Sequence, residues 1–251
     1  MDKKYWDGIG GEYDRYINDS IHGDRKGVIK RRIGQYALSG HVAGDFGCGV
    51  GKYLAVLSAR FKRVYAVDQS GKLLKVAARS CAKLGNVRLI HDNLRRPKAQ
   101  MGKVHFAVCA NVLIMPSQTM CMAILRNIYG RLRRGGHLML VVPSTESALY
   151  ADQQLVQWYR RDGLCVAEAR REGIPATAAG AAELLAGVVR IDGVATQHYL
   201  REQAITMLRD RGFDAVSVDK VEYDWESEFN DPPPWMGEPY PWDWLFIARK
   251  R

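Results

Sequence analysis

The feature with the most chemical content is a glycine-rich loop with a carboxylate ahead of it. Residues 45–51 read Asp-Phe-Gly-Cys-Gly-Val-Gly and lie between a predicted strand and a predicted helix. Glycines at alternate positions allow a sharp turn and let a ligand approach the backbone without meeting Cβ atoms. The N-terminus of the following helix should offer free N–H groups. The pattern therefore predicts a site for a polar ligand.

The spacing of the glycines distinguishes between the types of nucleotide-binding loop that could explain this pattern. A phosphate-binding P-loop requires Gly where Phe46 stands and Ser or Thr where Tyr53 stands. A GxGxxG dinucleotide fingerprint starting at Gly47 requires Gly where Lys52 stands, although variants of that fingerprint exist. The remaining pattern, DxGxGxG, places Asp45 where it suits a cationic ligand better than a pyrophosphate. S-adenosylmethionine, with a sulfonium and an ammonium, is such a ligand.

Polar side chains also end the next three predicted strands. Asp68 follows the second strand, where a carboxylate can accept hydrogen bonds from both ribose hydroxyls. Asp92 follows the third strand, where it can accept from an adenine amino group, and Asn111 follows the fourth. Because the carboxyl ends of parallel strands meet at one edge of a sheet, these side chains should face one crevice.

Together these residues resemble the class I S-adenosylmethionine-dependent methyltransferases, over roughly residues 40–142 and more weakly to the end of the chain. The resemblance implies an α/β fold with a Rossmann-like, doubly wound, mostly parallel seven-stranded sheet whose last strand is antiparallel. It implies S-adenosylmethionine as cofactor and methyl transfer as the reaction. Carried over position by position, it assigns the cofactor to Asp45, Gly47, Cys48, Gly49, Gly51, Asp68, Gln69, Asp92, Asn93, Leu94 and Asn111.

The elements that must position these residues alternate along the chain. Between residues 41 and 142, short apolar runs alternate with segments of helical spacing, which is typical of βα units on a parallel sheet. The predicted strands are 41–46, 63–67, 86–91, 104–110 and 137–142. The predicted helices are 51–60, 71–84 and 117–133, the last of them ending at the pair Gly135-Gly136.

The whole chain is predicted to be one domain with an insertion. Residues 1–40 are expected to form an N-terminal helical cover and 41–142 the cofactor-binding core. Residues 143–195 read as a helical insertion before the sixth strand that serves as a substrate lid. Residues 196–251 complete the domain with a helix near 201–210 and a final hairpin of strands 215–223 and 243–248 joined by the loop 224–241.

Methyl transfer is an in-line displacement, so positioning and exclusion of water supply most of the acceleration. A base is needed only if the acceptor carries a proton of high pKa. His198, after the predicted lid, is the candidate base because an imidazole near its free pKa can take such a proton; a capping or surface role is the alternative. The candidate substrate-pocket residues are aromatic: Tyr13, Tyr16, Tyr199, Trp235 and Tyr240.

Composition excludes several classes of protein. With 47% hydrophobic and 25% charged residues, the chain is an ordinary globular protein. Five cysteines without a CxxC pair predict neither a disulfide framework nor a zinc site, and no carboxylate cluster suggests another metal. The start of the chain lacks an apolar leader, and no apolar run is long enough to span a bilayer. We therefore expect a cytoplasmic protein without a metal.

The net charge of +10 is unevenly distributed. Residues 52–134 contain seventeen Lys or Arg against two Asp, whereas residues 214–243 contain nine acids and one Lys. Much of this positive charge falls on outward helix faces, where a solvated surface is the default; examples are Lys72, Lys75, Arg79 and Lys83. The opposed blocks also permit a homodimer in which one subunit's acids meet the other's basic block.

Four functions are compatible with this sequence. The leading hypothesis is methylation of an oxygen or nitrogen of a small metabolite, because the predicted lid suits a closed pocket. An RNA methyltransferase using the basic face is the first alternative, but no separate basic RNA-binding domain or catalytic Cys motif is recognisable. The others are an NAD-dependent Rossmann oxidoreductase and a non-catalytic protein that keeps the cofactor pocket.

Overall fold

The computed structural model of the protein describes residues 20–173, 180–191 and 193–251. Tyr13 and Tyr16 lie outside these ranges, as do residues 1–19 of the predicted N-terminal cover. From residue 20 onward that cover consists of a loop and one helix. The division of the chain into four segments stays a prediction.

A seven-stranded sheet forms the centre of the molecule, in the order β3-β2-β1-β4-β5-β9-β8, and a separate hairpin pairs β6 with β7. Five strands run parallel in the βα units, and the last strand of the chain is antiparallel to both of its neighbours. This confirms the predicted fold class. The strands are β1 Val42–Phe46, β2 Arg63–Asp68, β3 Val87–His91, β4 Val104–Ala110, β5 Leu132–Pro143, β6 Val188–Ile191, β7 Val194–Gln197, β8 Phe213–Glu222 and β9 Trp242–Lys250.

Helices cover the sheet, and a 3₁₀ turn at Trp225–Ser227 lies in the loop before β9. In α3, the hydroxyl of Ser70 caps the N-terminus by accepting from the N–H of Leu73. The helices of the described residues are α1 Val28–Tyr36, α2 Leu54–Ser58, α3 Gly71–Ser80, α4 Gln118–Arg131, α5 Thr145–Arg161, α6 Val166–Gly173, α7 Ala181–Leu185 and α8 Arg201–Asp210. Lys72, Lys75 and Arg79 of α3 are exposed, as predicted.

Strand β5 shows how the sheet buries both of its faces. Leu138 and Leu140 pack on the side that carries α4, whereas Met139 and Val141 pack on the side that carries α1. All four are fully buried. A strand with two buried faces reads as a continuous apolar run, which is why this segment was recognisable from sequence.

Several predicted boundaries are wrong. The helix after the glycine loop begins only at Leu54 and ends at Ser58, and α3 ends at Ser80. Helix α4 ends at Arg131 rather than at the Gly135-Gly136 pair, because Lys250 Nζ donates to the carbonyl oxygens of Tyr129 and Leu132 at 2.8 and 3.0 Å. Those glycines lie inside β5, where the register against β4 shifts and Gly135 has φ 74°.

The insertion is only partly helical. Helices α5, α6 and α7 occupy its first part, but β6 and β7 form an antiparallel hairpin at its end. The local sequence explains this difference, since β-branched residues flank the positive-φ Gly193 of the turn. The predicted all-helical insertion is therefore corrected to helices followed by a hairpin.

Part of the acidic block is neutralised within the chain. Arg32 binds Asp219 through two hydrogen bonds of 2.8 and 2.9 Å. Three further acids pair with other basic residues: Glu222 with Lys26, Asp224 with Arg25, and Asp214 with Arg251. A homodimer through opposed charge blocks stays a prediction, and these pairs remove part of the charge on which it depends.

Among the described residues, no helix combines the length and the apolar character needed to cross a membrane.

Glu146 joins the insertion to the sheet, and its removal should destabilise the fold. Its carboxylate accepts from the Arg201 N–H at 3.0 Å, from Trp244 Nε1 at 3.0 Å and from the Ser144 hydroxyl at 3.1 Å. We expect Glu146→Ala to lower the free energy of unfolding by about 1–3 kcal/mol, measured by urea denaturation. The control Glu172→Ala, at an exposed pair, should cost less than about 0.5 kcal/mol. Equal losses in the two variants would contradict this role.

Candidate functional site

The backbone N–H groups of the glycine loop are already used within the chain. Gly49 donates to Asp68 Oδ2 at 2.9 Å. Three other loop N–H groups donate to backbone oxygens: Gly47 to Val67 at 2.7 Å, Cys48 to Val67 at 3.1 Å and Gly51 to Cys48 at 2.8 Å. These four N–H groups are therefore engaged within the chain, and the free N–H groups predicted at the N-terminus of the following helix stay a prediction. A loop with these N–H groups engaged offers fewer of the donors with which dinucleotide-binding loops hold a pyrophosphate.

The glycines are required by both backbone conformation and space. Gly47 has φ 85° and Gly51 has φ 89°, a region that side chains with a Cβ rarely adopt. A Cβ on Gly47 would overlap the side chain of Val112, and one on Gly51 would lie 2.8 Å from Leu54 Cδ1. The loop can therefore pack closely under the end of β4.

Asp68 stabilises the glycine loop and also faces the cavity described below. Besides the Gly49 bond, its Oδ1 accepts from the Ser70 N–H at 2.8 Å. Burial raises the pKa of Asp68, and the backbone hydrogen bonds oppose that rise. Each carboxylate oxygen has a second lone-pair site, so this side chain can still accept from a ligand.

Asp45 is buried, and one of its two carboxylate oxygens lacks a hydrogen-bond partner among the described residues. The residue is 2% exposed, and its Oδ2 has no hydrogen-bond partner. Burial, with a smaller contribution from Asp68, raises the pKa of Asp45 to about 7. An uncompensated buried carboxylate is costly, so this atom is a natural partner for a cationic ligand.

A cavity opens at the carboxyl edge of the parallel strands. It contains six predicted cofactor residues: Gly47, Asp68, Gln69, Asn93, Leu94 and Asn111. Sequence reasoning missed its other lining residues: Leu73, Arg95, Ala110, Val112, Met115 and Ile124. Most of these are apolar, and a hydrophobic pattern alone does not distinguish a pocket wall from the core.

Asp92 does not line this cavity. Its carboxylate accepts from the N–H groups of Asn93 at 2.8 Å, Lys98 at 2.9 Å and Ala99 at 2.8 Å. These bonds fold the loop after β3 and bring Asn93 and Leu94 to the cavity. Asp92 therefore shapes this loop, and its contact with the adenine stays a prediction.

Asn111 lies at the end of β4 in an uncommon conformation. It has φ 53°, in the left-handed region where Asn is among the few tolerated residues with a side chain. Its N–H donates to the Val141 carbonyl at 3.0 Å, and its Oδ1 is buried without a partner among the described residues. This oxygen gives the cavity edge an unused hydrogen-bond acceptor, whereas Asp45 is not among the residues that line the cavity.

The segment after β7 crosses the end of β4 and forms part of a roof. Gln197 N–H donates to the Ile114 carbonyl at 2.8 Å. Tyr199 is 3% exposed, and its hydroxyl donates to the Leu113 carbonyl at 2.8 Å. Tyr199, predicted as a pocket residue, is instead a buried tie between this roof and the loop after β4.

His198 is buried in the same segment and does not keep a free imidazole pKa. Its Nδ1 lies 3.1 Å from the Thr196 carbonyl oxygen, and burial lowers its pKa to about 4. The premise of the predicted base, a pKa near the ordinary 6.5, is therefore wrong. A buried neutral ring held by a backbone oxygen is better explained as part of the roof.

The predicted aromatic pocket residues of the C-terminal loop contact arginines instead of the cavity. The Arg161 guanidinium lies 3.9 Å from the centre of the Trp235 ring, and that of Arg25 lies 3.8 Å from the centre of the Tyr240 ring. Trp225 anchors the loop by donating to the Gly237 carbonyl at 2.9 Å. The loop therefore packs on α5, and neither Trp235 nor Tyr240 lines the cavity.

The cysteines and carboxylates give no other reactive centre in the described part of the chain. Burial raises the pKa of the Cys48 thiol well above its usual value, so Cys48 is a packing residue of the loop. No group of three or more His, Cys, Asp or Glu side chains among the described residues is arranged to hold a metal ion.

Comparison with known families gives a match over the core of the chain. Residues 44–136 match the family described as "Methyltransferase domain". The matched segment contains the glycine loop, Asp68 and Asn111. The comparison with curated proteins gave no significant match.

Solved structures of low sequence identity share the fold over nearly the whole chain. An S-adenosylmethionine-dependent methyltransferase from Methanosarcina mazei has 16% identity and TM-score 0.61, covering 87% of this chain and 96% of its own. Magnesium protoporphyrin IX methyltransferase from Synechocystis, with bound S-adenosylhomocysteine, has 15% identity and TM-score 0.63, covering 99% and 98%. The N-methyltransferase NodS from Bradyrhizobium japonicum has 14% identity and TM-score 0.61, covering 98% and 97%.

Neutralising Asp45 should stabilise the ligand-free protein and weaken ligand binding. The pKa of Asp45 in the folded protein is about 7, above its ordinary value, so the folded state binds the carboxyl proton more tightly than the unfolded state does. The free energy of unfolding of the wild-type protein therefore falls as the pH rises from about 4 to 7. At pH 8 we expect Asp45→Asn to unfold at higher urea, with a gain of about 1–4 kcal/mol. The same variant should bind S-adenosylhomocysteine at least about tenfold more weakly in calorimetry.

The pH dependence of that gain is the diagnostic observation. At pH 4 the wild-type carboxyl is already protonated, so the two proteins should differ little there. A stability difference that is equal at pH 4 and pH 8 would contradict a buried, uncompensated Asp45.

The imidazole of His198 should titrate far below the usual range. Because burial disfavours its charged form, we expect a midpoint near pH 4 in an NMR titration of the histidine ring protons. Spectra of the His198→Gln variant identify its resonances by their disappearance. A midpoint above pH 6 would restore His198 as a candidate base.

Proposed function

Residues 44–136 form a methyltransferase domain on the class I S-adenosylmethionine-dependent fold, and from this premise we propose that the enzyme methylates an oxygen or nitrogen of a small metabolite. The observation that carries the proposal is the pair of unused buried acceptors, Asp45 Oδ2 and Asn111 Oδ1, beside a loop whose N–H groups are occupied. Such a site favours a cation over a phosphate. A biosynthetic role follows from the substrate class.

The residues present fit S-adenosylmethionine. Asp68 and Gln69, at the end of β2, are placed to accept from the ribose hydroxyls. Asn93 and Leu94 flank the adenine side, opposite the apolar wall of Leu73 that α3 contributes. Asp45 attracts the cationic methionine end. When bound, S-adenosylmethionine supplies a methyl group on positively charged sulfur.

The chain's own residues supply positioning and exclusion of water. Tyr199 and Gln197 tie their segment to the carbonyls after β4. A lid over this edge would hold an acceptor close to the methyl group and limit access of water. We keep the insertion 143–195, which directly precedes this segment, as the proposed lid.

We infer that the methyl acceptor is small, from the proposed lid and from the similar structures named above. A roof fixed by buried hydrogen bonds suits a compact acceptor better than a polymer. The magnesium protoporphyrin IX methyltransferase named above shares the fold over nearly its full length. The five cysteines are free thiols, which suits the cytoplasmic location that we propose.

One observation bears on the RNA alternative. A strongly basic recess is lined by Lys103, Arg133, Arg134, Lys250 and Arg251. It lies where β4 and β5 begin, at the edge of the sheet opposite to Asn111. An RNA bound there would have to reach across the whole sheet to present an acceptor atom, so the recess counts against this alternative.

Ligand binding distinguishes these functions. We expect S-adenosylhomocysteine to bind in calorimetry with micromolar affinity, about −8 kcal/mol, and NAD not to bind, because the engaged N–H groups of the loop leave fewer donors for its pyrophosphate. The variant Asp68→Ala should abolish the S-adenosylhomocysteine signal, whereas Lys72→Ala, on the outward face of α3, should leave it unchanged. Binding of NAD alone would contradict the proposal.

A second measurement addresses RNA. RNA binding by an RNA methyltransferase should weaken steeply between 50 and 200 mM salt, by about a thousandfold or more for six phosphate contacts. We expect no such specific binding. A tight, steeply salt-dependent complex with RNA would favour the RNA enzyme.

A further inference from the structure

We propose that the protein docks peripherally on an anionic lipid surface through the amino edge of its sheet, the edge at which β1, β2, β4 and β5 begin. This edge lies opposite to the cavity, so the proposal goes beyond the proposed function and does not depend on it. Five exposed basic residues form the docking surface together with Leu38: Lys62, Arg63, Lys103, Arg133 and Arg134.

Strand pairing and a hydrogen bond connect the first part of this surface. Arg63, the first residue of β2, pairs with Val42 at the start of β1. The Val42 N–H donates to Nδ1 of His105 on β4 at 3.1 Å. Lys103 directly precedes β4. The basic residues at the starts of β2 and β4 are therefore separated only by the start of β1.

The basic recess described above extends this surface to β5 and β9. Lys103, Arg133 and Arg134 line it together with Lys250 and Arg251. Strand β9 runs antiparallel to β5, which is why the end of the chain returns to the edge at which β4 and β5 begin. The positive charge is thus continuous from β2 to β9 across the sheet.

The five basic residues have no acidic partner within the described part of the chain. None of them forms an ion pair there. Lys103 donates to the Gly130 carbonyl rather than to a carboxylate, and the nearby Asp214 is paired with Arg251. Like charges gathered along one edge repel each other, and a dense array of negative charge relieves that repulsion.

Many acids of the molecule lie at the opposite edge. Asp45, Asp68 and Asp92 lie at or just after the ends of β1, β2 and β3. Strand β8 runs parallel to β5, so the acidic loop that follows it begins at this edge as well. An anionic surface therefore attracts the amino edge and repels the edge that carries the cavity. Docking in this orientation leaves the cavity open to water.

An exposed leucine among the basic residues favours lipid over other polyanions. Leu38 is 60% exposed and begins a turn in which the His41 N–H donates to its carbonyl at 2.8 Å. The His41 ring stacks on that of His105 with 4.1 Å between centres, and the His41 carbonyl accepts from the Lys62 N–H at 2.8 Å. Leu38 is thus held beside the positive charges. An apolar side chain gains free energy by entering the acyl boundary of a bilayer.

Nucleic acid fits this edge less well. Single-stranded nucleic acid binds through aromatic rings on which its bases stack as well as through positive charge. Here His41 and His105 stack on each other, and the rings of Tyr36 and His137 are in contact with 4.5 Å between centres. These rings are therefore engaged within the chain.

A second copy of the chain also fits less well. Several residues of the acidic block are already paired within the chain, among them Asp219 with Arg32 and Glu222 with Lys26. Joining the acidic edge of one copy to the amino edge of another is a head-to-tail contact. Such contacts close into a ring only for particular rotations and otherwise continue as filaments.

Sedimentation with lipid vesicles tests the proposal on the full-length protein. One set of vesicles contains phosphatidylcholine alone, and the other contains about 30% phosphatidylglycerol in addition. We expect binding to the anionic vesicles to be at least about tenfold tighter than to the neutral ones, and to weaken by about tenfold or more between 100 and 500 mM salt. Because no S-adenosylhomocysteine is present, the result is independent of the proposed function.

Charge reversal locates the docking surface. Arg133→Glu with Arg134→Glu should weaken binding to anionic vesicles by about twentyfold or more, since each basic residue at such a surface contributes roughly fivefold. Lys62→Glu with Arg63→Glu, at the other end of the surface, should have a similar effect. The matched control Lys72→Glu with Lys75→Glu makes the same charge change on the outward face of α3 and should cost less than about threefold. Circular dichroism checks that each variant is folded.

Replacing leucine separates lipid from other anionic partners. Leu38→Ser should weaken binding to anionic vesicles by about fivefold, because the variant loses an inserted apolar side chain. Leu149→Ser, at an exposed leucine of α5, should leave binding unchanged.

Three results would overturn the proposal. The first is equal binding to neutral and anionic vesicles. The second is an equal loss in the α3 control pair and in the pairs at the amino edge, which would show attraction without a docking surface. The third is a Leu38→Ser variant that binds anionic vesicles as tightly as the wild-type protein, which would favour a hydrophilic polyanion such as RNA as the partner.

Discussion

Two carboxylates buried close together at the ends of neighbouring parallel strands are the constraint on which the site depends. The charge of Asp68 adds to the cost of ionising Asp45, and the chain donates hydrogen bonds to Asp68. Asp68 accepts from the N–H groups of Gly49 and Ser70, which fixes the glycine loop against β2 and starts α3. Asp45 has an oxygen without such a donor. The fold can carry this imbalance because the large apolar core on both faces of β5 supplies the stability.

The same difference between satisfied and unsatisfied polar groups explains the other residues near the cavity edge. Asp92, Tyr199 and His198 have their polar atoms engaged by the backbone, so they shape loops and the roof. Asn111 has a buried oxygen without a partner among the described residues. Side chains whose polar groups are satisfied shape this site, and we propose that Asp45 and Asn111, which each keep an unpaired oxygen, bind its ligand.

Sequence reasoning located the fold and the cofactor edge because both depend on local pattern. Buried parallel strands read as apolar runs, and the positive-φ glycines at 47, 49 and 51 have no substitute. It failed where the outcome depended on contacts far along the chain. Lys250 binds the last carbonyls of α4 from the far end of the chain, and the lowered pKa of His198 results from burial that no local pattern shows.

The position of β9 has a consequence for synthesis of the protein. This strand follows β8 in the chain, yet it lies between β5 and β8 in the sheet. While the ribosome is still producing the segment before β9, the apolar edge of β5 has no partner, and β8 has nothing to join. The nascent chain must therefore hold an open, aggregation-prone sheet edge until β9 emerges.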